Sequence, residues 1–203
     1  MTTERKSSEA RRAEIVDAAL RIIGARGVGA LTVSSLAGEL GLTGAALYRH
    51  FASTEAILEA VAERAAAELD AATPPASLPP RAWLLQLATL RTATVGDHAG
   101  LSRLLLSDQF ALALSPAAIA SLAGAVRRTR EGIVRVLAAG QASGEVRGDL
   151  APEAIAPIVM GTIQMIAIHR AGPLLPRAEG DPMRFFHSLL TLLDPPPAPR
   201  RGR

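Results

Sequence analysis

Apolar residues recur at helical spacing along nearly the whole chain, from residue 8 to 194, and no alternating run of β-branched residues is long enough to build a sheet. That pattern predicts an all-α fold. In a first helix over 8–25, Ile15, Ala18, Ala19, Ile22 and Ile23 share one face, with Arg11, Arg12, Glu14, Asp17 and Arg21 around the other. Gly27 and Gly29 stop it. Short helices are expected at 33–40 and 44–50, on either side of a turn at Gly41, and a longer one at 54–71. Thr73 to Pro80 holds four prolines in eight residues, which no helix continues through, so a boundary is placed there.

Beyond that boundary, Trp83, Leu84, Leu87 and Leu90 mark one amphipathic helix, and Leu101, Leu104 and Leu105 a shorter one. Ser115 followed by Pro116 reads as an N-cap with proline at the first helical position, opening a helix over 116–141 that exits through Gly140 and Gly144. Pro152 opens a helix over 152–171, kinked at Pro157, and Asp181 with Pro182 opens the last, over 182–193. The tail DPPPAPRRGR is expected to be extended or disordered.

Charge needs care. The net charge of +3 over 203 residues hints at an anionic partner, but Arg200, Arg201 and Arg203 supply all of it, leaving residues 1–199 balanced. Aromatic residues make only 3% of the chain, so the core must be aliphatic. Cysteine is absent, which excludes disulfides, thiolate metal sites and cysteine nucleophiles. The polar N-terminus and the lack of an apolar run near the roughly 18 residues needed to span a bilayer predict a cytoplasmic protein with no membrane partner. The histidines at 50, 98, 169 and 187 are scattered, and no metalloprotease, phosphate-loop or nucleophile-elbow motif occurs. No enzyme, catalytic residue, metal or cofactor is expected.

Residues 32–51, TVSSLAGELGLTGAALYRHF, are the most informative stretch. Thr32 is placed to cap a helix whose inward positions are Val33, Leu36, Ala37 and Leu40; Gly41 supplies a left-handed turn residue, and Thr43 caps a second helix that buries Leu47 and Phe51. A small residue at Ala37 with Gly41 four residues on is the physical signature of a helix-turn-helix, although a plain helical corner shares it.

The stretch from Ala13 to Val61 resembles the N-terminal domain of the TetR/AcrR family of bacterial transcriptional regulators. The resemblance is carried by AEIVDAALRIIGARGVGALTV, by LAGELGLTGAALYRHF with its Tyr48-Arg49-His50-Phe51 ending, and by STEAILEAV. It implies an N-terminal three-helix helix-turn-helix domain, joined by a fourth helix to a C-terminal helical domain for ligand binding and dimerisation. The boundaries expected are 1–54 for the DNA-binding domain with its basic arm, 55–80 for the connecting helix and linker, 81–194 for the second domain, and 195–203 for the tail.

The resemblance places Thr43, Gly44, Ala45, Ala46, Tyr48 and His50 on or beside a recognition helix, with Tyr48 and His50 donating to phosphates, a role their chemistry suits. Tyr48 as a half-buried aromatic and His50 as a capping group are the structural alternatives. Arg49 is open to a phosphate, a base edge or a neighbour such as Glu39, and Thr32 joins the DNA-facing set. Where the family usually has a lysine at the start of the fourth helix this chain has Thr54, so only a hydroxyl and a helix N-terminus beside Ser53 remain for that phosphate. Gly44, Ala45 and Ala46 carry no long polar side chain, so readout falls on Thr43, backbone amides, thymine methyls and DNA shape. Residues 1–54 hold seven basic and five acidic side chains, with Arg5, Lys6, Arg11 and Arg12 clustered where a mobile arm would follow the DNA backbone; from Glu55 to Asp70 the balance is five acidic to one basic.

For the second domain, two apolar helices, similar to those that form the family's dimer interface, suggest a twofold homodimer through Ile155, Val159, Ile163, Ile166, Phe186 and Leu189, the alternative being that they are internal core. Trp83, Phe110, Met160, Gln164, Met165 and His169 are the candidate contacts of a largely apolar small-molecule effector. The function expected is a sequence-specific regulator, a repressor released from a double-stranded operator when the effector shifts the fourth helix as a lever. The alternative is a DNA-binding protein of the same fold that acts architecturally or through a protein partner.

Overall fold

The computed structural model describes residues 7–97, 108–171, 181 and 183–196. Among them the regular structure is helical throughout, and local signals set most of the ends. The Ser7 hydroxyl accepts from the Ala10 amide at 3.1 Å and opens α1 (Ser8–Arg26), which closes at Gly27 with φ 83°. A 3-10 turn (Val28–Ala30) leads to α2 (Val33–Leu40). Thr32 and Ser35 form a reciprocal capping box there, the Ser35 amide donating to Thr32 Oγ1 at 3.1 Å and the Thr32 amide to Ser35 Oγ at 3.0 Å. Gly41, at φ 63°, takes the left-handed conformation that a side chain disfavours, and turns the chain into α3 (Gly44–Tyr48). The Ser53 hydroxyl caps α4 (Thr54–Ala71) through the Ala56 amide at 3.2 Å.

After the proline stretch come α5 (Pro80–Asp97), α6 (Asp108–Leu112), α7 (Pro116–Ser143), α8 (Pro152–Ala171) and α9 (Met183–Leu192). Ser115 caps α7 through the Ala118 amide at 3.3 Å. α7 continues through Gly140 and ends where Gly144 turns at φ 77°. α3 stops two residues short of the expected 50, because the amides of His50 and Phe51 both return to the Leu47 carbonyl and tighten the chain into a turn. The expected helix at Leu101, Leu104 and Leu105 lies outside the described residues. So do the arm residues Arg5 and Lys6 and the tail arginines.

The chain divides into two compact units, and the division differs from the boundaries read from the sequence. The described residues within Met1–Leu69 and Val95–Val126 form one, so α6 and the first part of α7 fold with α1–α4. Phe110, Leu114 and Ala118 join Ile15, Ala19, Ile22, Ile23, Leu36, Leu47, Phe51, Leu58 and Val61 in its core. The described residues within Asp70–Thr94 and Arg127–Arg203 form the other, around Trp83, Leu87, Ile133, Leu137, Ile155, Val159, Ile163 and Phe186. The Trp83 indole N–H donates to the Pro74 carbonyl at 3.1 Å, so the proline stretch is tied to this second unit instead of hanging as a free linker. No described helix is long and apolar enough to cross a membrane.

Candidate nucleic-acid interface

α1 and α2 build the platform and α3 lies on it. Leu36 and Ala37 of α2 and Leu47 of α3 are buried, and Phe51 closes the hairpin behind them at 3% exposed. The close approach of the two helices falls at Gly44 as well as at the expected Ala37, since a Cβ on Gly44 would lie 3.1 Å from Val33 Cγ1. The glycine at the front of α3 therefore serves packing, and the lack of a side chain at this end of the helix is a consequence.

α3 turns Thr43, Ala45, Tyr48 and Arg49 outward, while Gly44 and Ala46 are half-buried. Tyr48 is 54% exposed with no hydrogen bond to its hydroxyl among the described residues, so it is not the half-buried packing aromatic of the alternative reading. Arg49 makes no ion pair among the described residues, and Glu39, its suggested acidic neighbour, bonds instead to Arg21 at 3.1 Å. Two polar groups thus stand uncommitted at one end of the hairpin, and both suit phosphate oxygens or base edges. Thr32 and Thr43 are exposed but spend an oxygen lone pair on capping, the latter on the Ala46 amide at 3.2 Å. The His50 ring is half-buried, and its Nδ1 is buried without a partner, so that nitrogen forms no capping bond.

Arg11 and Arg12 are not part of an arm. Both lie in α1, where Arg11 bonds to Glu14 at 2.9 Å. The Arg12 guanidinium donates to the His50 carbonyl and sits 4.0 Å over the Phe51 ring, holding the C-terminal end of α3 against α1. Spacing rules contain no signal for a contact between residues 38 apart in sequence. Thr54 opens α4 as expected, half-buried. Exposed Glu55 follows it, its carboxyl held below the usual range by a hydrogen bond from Ser53, so an anion already stands at this helix N-terminus.

In the second unit the six side chains expected at a dimer interface face inward. Ile155, Val159, Ile163, Ile166, Phe186 and Leu189 are between 0% and 8% exposed and form the unit's own core. The apolar surface that remains lies one step around the same helices, at Ile158, Met165, Phe185 and Leu192. Ile158, Gly161, Thr162, Met165 and Phe185 line an open groove of about 350 Å³, with Ile166 at its floor. Of the expected effector contacts, Phe110 belongs to the core of the first unit, which corrects that assignment, and Trp83 is buried in the core of the second. Met160 packs partly buried against that core, Met165 is exposed, and the His169 side chain lies outside the described residues. Gln164 is half-buried with Nε2 unpartnered. No group of three or more metal-ligating side chains occurs among the described residues.

Residues 15–61 match the profile of the bacterial regulatory proteins of the tetR family. No curated protein sequence matches the chain. Solved structures share its whole fold at low identity. The ketosteroid transcriptional regulator KstR2 of Mycobacterium tuberculosis superposes with a TM-score of 0.74 at 19% identity, over 94% of this chain and 97% of that one. A tetR-family regulatory protein from Rhodococcus RHA1 gives 0.73 at 21%, over 94% and 98%. AibR, solved with isovaleryl coenzyme A and operator DNA, gives 0.73 at 17%, over 92% and 99%. An exposed short helix on a buried two-helix platform, the profile match and the shared fold agree: residues 15–61 form a helix-turn-helix domain of the tetR-family type, within a fold that solved tetR-family regulators share.

Proposed function

We propose that the protein is a cytoplasmic, homodimeric repressor that grips a double-stranded operator through α3 and is released by a small-molecule effector bound in its second unit. The observation that carries the DNA contact is Tyr48, exposed beside an Arg49 that has no ion pair among the described residues, at the end of a capped, tightly packed hairpin. Tyr48 donates to a phosphate, and Arg49 takes a second phosphate or a base edge. Thr43, Ala45 and Ala46 offer small groups to the bases, so sequence is read through thymine methyls and DNA shape. Thr32, His50 and Thr54 flank this surface.

The groove around Ile158, Met165 and Phe185 supports the dimer, because apolar side chains this exposed are stabilised when a second copy covers them. Twofold pairing would set two recognition helices about 34–36 Å apart, or a multiple of it, to match paired half-sites. Similar folds supply precedents for a ligand, since one is named as a ketosteroid regulator and another was solved with an acyl coenzyme A. Release follows if the effector favours a position of α4 in which the two hairpins no longer match the half-sites. The chain's role is regulatory and not catalytic.

Selection of bound fragments from genomic DNA supplies the operator, and Tyr48→Phe then tests the contact. Binding should weaken about equally on every sequence; a loss confined to one base position would show that Tyr48 reads a base. Ile158→Glu and Met165→Glu should give monomers by light scattering, and dimers that persist in both would place the interface elsewhere.

A further inference from the structure

The second unit contains a buried cation without a bonded counter-charge among the described residues. Arg91, on α5, is 6% exposed. One guanidinium nitrogen, Nη2, donates to Thr129 Oγ1 at 2.7 Å, and Nε is buried with no acceptor. The opposite charge that acts on it is Asp70, but Arg128 already holds that carboxylate with two bonds, of 3.0 and 2.6 Å. Burial draws Arg91 down to about 10, which still leaves it charged at neutral pH. A buried charge with one neutral hydrogen bond destabilises the fold that contains it, and apolar replacements of such groups are often neutral or stabilising.

A second donor without a partner among the described residues lies in the same unit. Gln164 Nε2, on α8, is also buried without a partner, and α5 and α8 both contribute to the core of this unit. Both groups are N–H donors, so what each lacks is an acceptor. A purely apolar ligand would leave both as they are.

We infer that the effector carries an acidic group, a carboxylate or a phosphate, which Arg91 binds through its free guanidinium edge beside Thr129. This rests on the effector reading above and changes its chemistry, from a largely apolar compound to an amphiphile with an anionic end. A planar guanidinium suits either anion, since both accept two parallel N–H bonds.

Thermal unfolding of the full-length protein and of Arg91→Met tests this, at constant ionic strength in chloride, with sodium octanoate, octan-1-ol or inorganic phosphate added. The expected result is that Arg91→Met unfolds no lower than wild type in chloride. Octanoate or phosphate then raises the wild-type midpoint more than octanol does, and the substitution abolishes that rise. Whichever of the two anions acts separates a carboxylate site from a phosphate site. A midpoint several degrees lower for Arg91→Met in chloride, with no anion response in wild type, would make Arg91 a structural group and overturn the inference. Equal responses to octanol and octanoate in both proteins would do so too, while leaving an apolar effector in place. Should Arg91→Met not fold, Arg91→Lys, which keeps the charge and loses the planar fork, is expected to retain only part of the anion response; a full response overturns the fork. Operator binding measured in the same additives keeps the two readings apart, because an anion that stabilises the protein through Arg91 without weakening operator binding supports the site and removes release as its consequence.

Discussion

Arg12→Met removes two contacts at the end of α3, and their loss has a size. The first is the hydrogen bond to the His50 carbonyl, at an exposed position. A bond of that kind contributes about 0.5–1.5 kcal/mol. The second is the stacking of the guanidinium 4.0 Å over the Phe51 ring. Cation–π pairs at exposed sites add about 0.5–1 kcal/mol. Together they bias the C-terminal turn of α3 toward the packed arrangement by roughly 1–2.5 kcal/mol, and at about 1.4 kcal/mol per factor of ten the expected loss of operator affinity is about fivefold to sixtyfold. Tyr48 and His50 lie in or next to that turn, so the loss falls on the residues proposed to meet phosphates. The assay is operator binding by fluorescence anisotropy over a range of salt. A positioning role predicts that affinity falls while the slope of log affinity against log salt stays unchanged, whereas a lost phosphate contact lowers the slope by about 0.9. Tyr48 is the sole tyrosine, so 3-fluorotyrosine labelling puts one fluorine resonance on the recognition helix. That resonance should shift or broaden in free Arg12→Met. A reduced salt slope with an unchanged resonance would refute the reasoning and return Arg12 to the DNA backbone.

Gly140→Ala should destabilise, although alanine improves helix propensity by about 1 kcal/mol. The new Cβ would stand 2.6 Å from Val146 Cγ2 and 3.2 Å from Pro80 Cβ. Overpacking of this kind costs about 1–3 kcal/mol, so a midpoint lowered by a few degrees is expected on thermal unfolding; a rise would mean that Val146 yields without penalty. Gly38→Ala, in α2 with nothing within 4 Å of the added carbon, should raise the stability of its unit instead. Thr54→Lys should steepen the salt dependence of operator binding by about one phosphate's worth. An unchanged slope would show that exposed Glu55, or the angle of α4, keeps this position off the DNA.

The hairpin was legible because its determinants are local. Thr32 and Thr43 each cap a helix through a bond that spans three residues, as Ser115 does outside the hairpin, and Gly41 turns the chain at φ 63° where the spacing asks for a left-handed residue. Uncommitted Tyr48 lies within one short helix of these signals. Phe110 and Arg12 were misplaced for the opposite reason, since the groups they pack on lie far away along the chain and no periodicity reports them.

α8 failed differently. It carries apolar residues at Ile155, Ile158, Val159, Ile163, Met165 and Ile166, which surround most of the helix, so the period identifies a helix without choosing its inner face. The residues that best fit the i, i+4 pattern, Ile155, Val159 and Ile163, read from the sequence as an interface or as internal core, and they form the unit's own core, each under 9% exposed. A single chain satisfies its most regular apolar stripe first, because its own helices are always present at high effective concentration. What is left for a second copy is then the off-register remainder, Ile158, Met165 and, on α9, Phe185 and Leu192, all more than 40% exposed. On a helix that is apolar all round, the side chains that break the main stripe are therefore the better guide to an interface, and substitution at Ile158 and Met165 tests that rule directly.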